Sequence, residues 1–155
     1  MKELKFMAIA ETMASMSKDP STQVGAVAID DDFNVLSVGY NGFPRGVNDN
    51  IPERFERPLK YSLTIHAEGN AISQAARKGV ILKDSTLLVT SLFPCSNCAG
   101  LIIQAGVRRV ITTHSDNERW LENAAISKSM FEEAGVEVIY VKKENEKWEL
   151  DSTRT

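Results

Sequence analysis

Two short runs in the sequence carry side chains able to do chemistry together. His66-Ala67-Glu68 offers an imidazole and a carboxylate, and Pro94-Cys95-Ser96-Asn97-Cys98 offers two thiols. Cys95 and Cys98 stand three apart, so on the first turn of a helix both sulfurs face one way and can share an ion. The positive end of a helix lowers a thiol's pKa and favours the thiolate that metals need. Pro94 suits the start of such a helix, where a missing N–H costs little. His66, at the start of a second expected helix, supplies a third donor. Glu68 lies two residues further on and off the His66 face, better placed beside a bound water than as a fourth ligand. Three protein ligands and an open position make a catalytic zinc site, whereas a structural site is closed by four. Such an ion brings the pKa of its water from roughly 15.7 to about 7 in zinc enzymes.

Each piece alone has a plainer reading. A single C-x-x-C could be a redox pair, although here it does not follow a thioredoxin-like first strand. A lone His66 could be a core residue, and Glu68 a helix-start acid favoured by the dipole. The conjunction favours the metal, because both runs fall at expected helix starts in one α/β alternation. Both cysteines and one of the two histidines are then used, which leaves only His114 and predicts one zinc per chain. His114 is expected to be structural.

The elements that must hold these groups follow from hydrophobic period and punctuation. Leu4 to Met16 predicts a first helix, stopped by Ser17, Asp19 and Pro20. Val24 to Ile29 and Val35 to Val38, joined by a turn over Asp30 to Asn34, predict a hairpin. Gly39 to Tyr61 reads as a long irregular connection with Pro44, Pro52 and Pro58, a kind of stretch that is usually functional or mobile. The chain then alternates. Helices are predicted over His66 to Lys78, Cys95 to Ala105 and Leu121 to Ala134, with strands over Ser85 to Thr90, Arg109 to Thr113 and Val136 to Val141. Gly106 and Gly135 fit the helix-stop position. Short links of this kind predict right-handed crossovers, hence a mixed sheet with helices on both faces. The charged tail from Lys142 is expected to fray unless Trp148 and Leu150 dock it.

Composition narrows the function. A chain of 155 residues suits one domain, residues 1–155, with a single core. Lys2, Glu3 and Lys5 break up any signal-peptide pattern, and no apolar run reaches the roughly 20 residues of a membrane span. No membrane partner and a cytoplasmic location, or a host's cytoplasm for a viral protein, are therefore expected. The net charge of −3 and the lack of a basic stripe with interleaved aromatics argue against a nucleic-acid partner. Any phosphate must be met by local positive charge.

The two runs fit the H-x-E…P-C-x-x-C signature of zinc nucleobase deaminases. The chain resembles the cytidine deaminase superfamily and, within it, the deoxycytidylate (dCMP) deaminase family. The resemblance runs from about Ser17 to Val141. It rests on four segments: Ser17 to Ala26 (SKDPSTQVGA), Gly39 to Gly46 (GYNGFPRG), His66 to Ile72 (HAEGNAI) and Leu92 to Cys98 (LFPCSNC). Glu53 to Tyr61 and Gly69 depart from the family pattern.

The resemblance implies a three-layer α/β/α sandwich around a five-stranded mixed sheet. It implies hydrolytic deamination of dCMP to dUMP, feeding thymidylate synthesis, with His66, Cys95 and Cys98 on Zn²⁺ and Glu68 as the catalytic proton carrier. Ala67, Pro94 and the Cys98 backbone would position the pyrimidine. Asn41 resembles the family's sugar-contacting Asn, ahead of its plainer reading as a turn residue, which Asn-Gly would also signal. Lys18, Ser21 and Thr22 could meet the substrate phosphate or simply end the first helix; Arg45, Arg108 and Arg109 are further phosphate candidates. The family's Gly39, Tyr40, Gly42, Arg45 and Gly46 segment also implies a site where dCTP activates and dTTP inhibits, with Mg²⁺ accompanying the triphosphate. A homo-oligomer is implied, a hexamer ahead of a dimer. The alternatives are a deaminase of another small substrate (a modified dCMP, cytidine or guanine), a nucleic-acid-editing deaminase, and a zinc-stabilised scaffold, for which Glu68 would have no use.

Overall fold

The computed structural model describes residues 1–154. A 3₁₀ turn, Lys2–Phe6, leads into helix α1, Met7–Ala14. Strands β1, Gly25–Ile29, and β2, Val35–Tyr40, form the expected hairpin. The connection after β2 is less irregular than its prolines suggest, holding a 3₁₀ turn, Pro52–Phe55, and a short helix α2, Leu59–Leu63. The rest alternates as α3, Ala67–Lys78; β3, Thr86–Val89; α4, Ser96–Gln104; β4, Arg109–Thr112; α5, Glu118–Ala134; and β5, Glu137–Glu144. Gly79 and Gly135, at φ of 70° and 75°, end α3 and α5 in the left-handed conformation that glycine adopts without steric cost.

The sheet has six strands, not five, in the order β2-β1-β3-β4-β5-β6. The sixth is β6, Lys147–Leu150, built from the charged tail, which Trp148 docks in place of fraying. It pairs antiparallel with β5 in the register Val141↔Leu150 and Lys143↔Trp148. Asn145 and Glu146 make the turn with both φ values positive, 48° and 61°, the backbone that a tight hairpin turn requires. Trp148 packs against the core on the α1 side and anchors the strand.

Strand alternation divides the interior into two layers. Leu87 and Val89 of β3 face α3, α4 and α5, where they meet Ala71, Ala75, Ile102 and Phe131. Leu88, between them, faces α1 with Val27, Ile111, Val141 and Met7. β3 runs antiparallel to β1 but parallel to β4, and β4 parallel to β5. Chain leaving the carboxyl end of β3 passes through Thr90 to Phe93 and enters α4 at Cys95, at the edge where open α/β sheets hold their ligands.

Candidate active site

The three donors are brought together by helix starts. His66 is the N-cap residue of α3 and Cys95 that of α4, both with extended backbone. The Cys98 amide donates to the Cys95 sulfur at 3.5 Å, so the loop closes around its own thiolate. His66 Nδ1 lies 3.4 Å from each sulfur, and all three donor atoms fall within 4.8 Å of one another. Zinc bonds of about 2.3 Å to sulfur and 2.0–2.1 Å to nitrogen, at tetrahedral angles, put neighbouring S and N donors about 3.6 Å apart. The geometry and the donor chemistry fit zinc, and among the described residues no other group of this kind occurs.

Without a metal the three side chains share protons. The Cys95 thiol is drawn down to about 4, first by the hydrogen bond from Cys98 and then, against burial, by His66. Cys98 is pushed strongly upward by the same hydrogen bond, by burial and by the Glu68 charge. His66 is raised, chiefly by its hydrogen bond to Cys95. A ready thiolate beside an imidazole is the state a divalent metal captures.

Glu68 is 4% exposed and, like the donors other than Cys98, lines a cavity of about 400 Å³. Burial raises its carboxyl above the ordinary value, against an opposing hydrogen bond from Cys98. A carboxyl moved toward neutrality can both accept and return a proton.

Gly39 explains how α3 comes so close to the sheet. A Cβ on it would lie 2.4 Å from both the Ala67 carbonyl oxygen and the Ala71 nitrogen. Only glycine lets the first turn of α3 rest on β2, and the Asn70 side-chain Nδ2 then donates to the Tyr40 carbonyl at 2.7 Å. Gly42 and Ile65 exchange backbone hydrogen bonds of 3.1 and 2.8 Å just before His66. The Gly39 to Gly42 segment therefore braces the histidine. Asn123 does the same for α4: its Oδ1 accepts from the Ser96 amide at 2.8 Å.

Thr22, Asn41 and Ala67 line the cavity with Glu68; Lys18, Ser21 and Pro94 are not on its wall. The Lys18 ammonium is instead paired with Asp49 at 2.8 Å. Asn41 holds the loop, accepting from the Val24 amide and donating to the Thr22 carbonyl, both at 2.8 Å. Arg45 points at Gln74 of α3, at 3.0 Å. Arg108 pairs with Asp31, and Arg109 with Glu137 and Glu3, at the start of β4 and away from the cavity. His114 lies beside Asp116, 3.5 Å away, and edge-on to Tyr140. Asp19, read from the sequence only as a helix stop within the Ser17 to Ala26 segment, also lines the wall, as do Arg57, Lys60, Tyr61, Arg119 and Trp120, which stand in no motif. Their link to the site is purely spatial.

Residues 1–114 match the family described as the cytidine and deoxycytidylate deaminase zinc-binding region. The chain belongs to the cytidine and deoxycytidylate deaminase family. Among its relatives in that family, it is 45% identical over 140 residues to an "uncharacterized deaminase in luxG 3'region" of Aliivibrio fischeri, covering 88% of this chain and 91% of the relative. It is 40% identical over 136 residues to human deoxycytidylate deaminase, covering 84% and 74% of the two chains. The dCMP deaminase of cyanophage S-TIM5, solved in complex with dCMP and dUMP, superimposes with a TM-score of 0.69 at 26% identity, over 86% of this chain and 92% of that one. The stretch that matches the zinc-binding region contains His66, Cys95 and Cys98, the group positioned to hold a metal.

Proposed function

We propose that this chain is a cytoplasmic, single-domain dCMP deaminase, converting dCMP and water to dUMP and ammonia in the supply of dUMP for thymidylate synthesis. The observation that carries the reading is the enclosure of Glu68 in one cavity with the donors His66 and Cys95 of the metal triangle. The names of the relatives support dCMP as the substrate.

His66 Nδ1 and the sulfurs of Cys95 and Cys98 would hold the zinc. When bound, zinc supplies a Lewis acid that makes water nucleophilic at neutral pH. Glu68 takes a proton from the attacking water and delivers one to the ring nitrogen beside the amine-bearing carbon. As the C–N bond breaks, the Glu68 carboxylate takes the remaining proton from the newly added hydroxyl and passes it to the departing amine, which leaves as ammonia while the hydroxyl oxygen becomes the carbonyl of dUMP. A buried carboxyl suits both transfers because burial raises it above its ordinary value, which eases its holding a proton between accepting and returning it. Ala67, Thr22 and Asn41 shape the wall against which the nucleotide sits.

Regulation by dCTP and dTTP, with Mg²⁺, belongs to the same reading. Pro44 to Gly46 is exposed, and Arg45 faces α3 from outside the cavity, which suits an effector that does not compete with substrate. Self-association is supported by Ile65 and Leu101, exposed apolar residues that flank Gly69.

An ultraviolet assay on dCMP, CMP, deoxycytidine and cytosine, with and without dCTP or dTTP, tests the reading. Turnover of dCMP is expected; turnover of cytosine or nucleosides without dCMP would overturn it.

A further inference from the structure

The cavity is completed by two stretches, 57–64 and 117–123, that contain none of the four segments on which the resemblance rests. Three cations reach it from them: Arg57, Lys60 and Arg119. Lys60 is spoken for, because its ammonium is buried against the Asp19 carboxylate at 3.0 Å. The other two are not. Among the described residues, the arginines in ion pairs are Arg108, Arg109 and Arg154. Arg57 and Arg119 converge instead on Tyr61. The Arg57 guanidinium lies 5.9 Å from the ring centroid, and Arg119 stands with Arg57 and Tyr61 on the same stretch of cavity wall. Desolvation pushes the Tyr61 phenol up, but the two cations outweigh it and hold it below its ordinary value. Two guanidiniums gathered beside one neutral phenol repel each other and keep most of their donors free. An anion of charge −2 with several acceptor oxygens would relieve both conditions, and a phosphomonoester is such a group.

Resting on the dCMP reading of this site, we propose that Arg57 and Arg119, held together by Tyr61 at the cavity wall, are the residues that bind the substrate's 5′-phosphate and so select a nucleotide over a nucleoside. Both arginines bind the phosphate through charge-assisted hydrogen bonds. Tyr61 is a positioning residue that sets their spacing. The role that Lys18, Arg108 and Arg109 were expected to play falls to them because those three are paired elsewhere with Asp49, Asp31 and Glu137.

Calorimetric titration of the zinc-loaded protein with dUMP and with deoxyuridine tests this, since neither is turned over. R57Q and R119Q are exposed substitutions and should fold. Each is expected to weaken dUMP about 10- to 100-fold, the usual span for a charge-assisted hydrogen bond, and to leave deoxyuridine unchanged. Tyr61→Phe is expected to raise KM for dCMP with kcat unchanged. Wild-type dUMP affinity in both arginine variants, or an equal loss for deoxyuridine, would overturn the phosphate assignment. If wild-type protein deaminates dCMP while R57Q and R119Q keep its KM, only the assignment fails. If zinc-loaded wild type neither deaminates dCMP nor binds dUMP, the dCMP reading falls and takes the assignment with it.

Discussion

Asp19 and Lys60, 41 residues apart in sequence, meet as a buried ion pair in the cavity wall, with Lys60 Nζ 3.2 and 3.0 Å from the two carboxylate oxygens. The same carboxylate accepts from the amides of Ser21 and Thr22, at 2.8 and 3.1 Å. One acid therefore fixes both the loop after α1 and the position of α2. Burial pushes Asp19 up, but the Ser21 amide, Lys60 and the Thr22 amide together outweigh it, and its carboxyl stays below the model-peptide value of 3.8.

Removing that carboxylate should leave a buried ammonium unpaired. Asp19→Asn is expected to cost about 3 kcal/mol at pH 7, the usual scale for breaking a buried pair. The folded pKa is depressed, so the stabilisation is fully present above the unfolded value and is lost as pH falls through the folded one. Urea melts of wild type and variant, both stripped of metal by a chelator, should therefore differ at pH 7 and converge as pH falls through the depressed folded-state pKa of Asp19. An equal gap at both pH values would show that the charge on Asp19 is not the cause.

Glu68→Gln should keep the metal and lose the chemistry. The side chain is not one of the three donors, so metal analysis should still give about one zinc per chain. Loss of the proton carrier should lower kcat by about 10²–10⁴-fold. Wild-type turnover by this variant would move the proton transfers to another group.

Gly39→Ala tests how closely α3 must lie on the sheet. The added carbon meets backbone, which cannot swing aside, so a destabilisation of about 1–3 kcal/mol or more is expected from overpacking. Because the clash is at Ala67, between His66 and Glu68, kcat should fall together with zinc affinity. A variant with normal zinc affinity and altered response to dCTP alone would give Gly39 an effector role instead.

Two of the three metal donors are also helix N-caps, His66 for α3 and Cys95 for α4. Metal removal should therefore loosen both helix starts as well as stop turnover. At free zinc about a thousand times its dissociation constant, mass action stabilises by about 4 kcal/mol, so a chelator should lower Tm on the order of 10 °C. Hydrogen exchange should quicken first at the amides of the two opening turns. A Tm unmoved by the chelator would mean that the site is formed without metal.

The parts legible from sequence are those with a local signal. Period, glycine stops and a spaced ligand motif are all readable along the chain, and α3, α4, β3 and β4 fall within two residues of their expected bounds. What escaped was set by contacts or by unusual turn chemistry. β6 turns at Asn145-Glu146 with no glycine to announce it, and its charge resembles a solvated tail. Helix α5 begins three residues earlier than its apolar pattern because Asn117 caps it, accepting from the Arg119 amide at 3.0 Å. Arg57 and Arg119 share no spacing or motif; only the fold brings both to Tyr61.

The β5–β6 hairpin also matters for the colloidal behaviour of the protein. β5 is a long strand whose outer side would otherwise present a row of unpaired amides and carbonyls, a template for pairing with another chain. β6 occupies the Val141 to Glu144 half of that row with a strand of only four residues, Lys147–Leu150, whose exposed Lys147 and Glu149 discourage further addition. The charged tail thus acts as a guard on the sheet's edge, and cutting the chain after Glu144 should yield a protein prone to aggregate through β5.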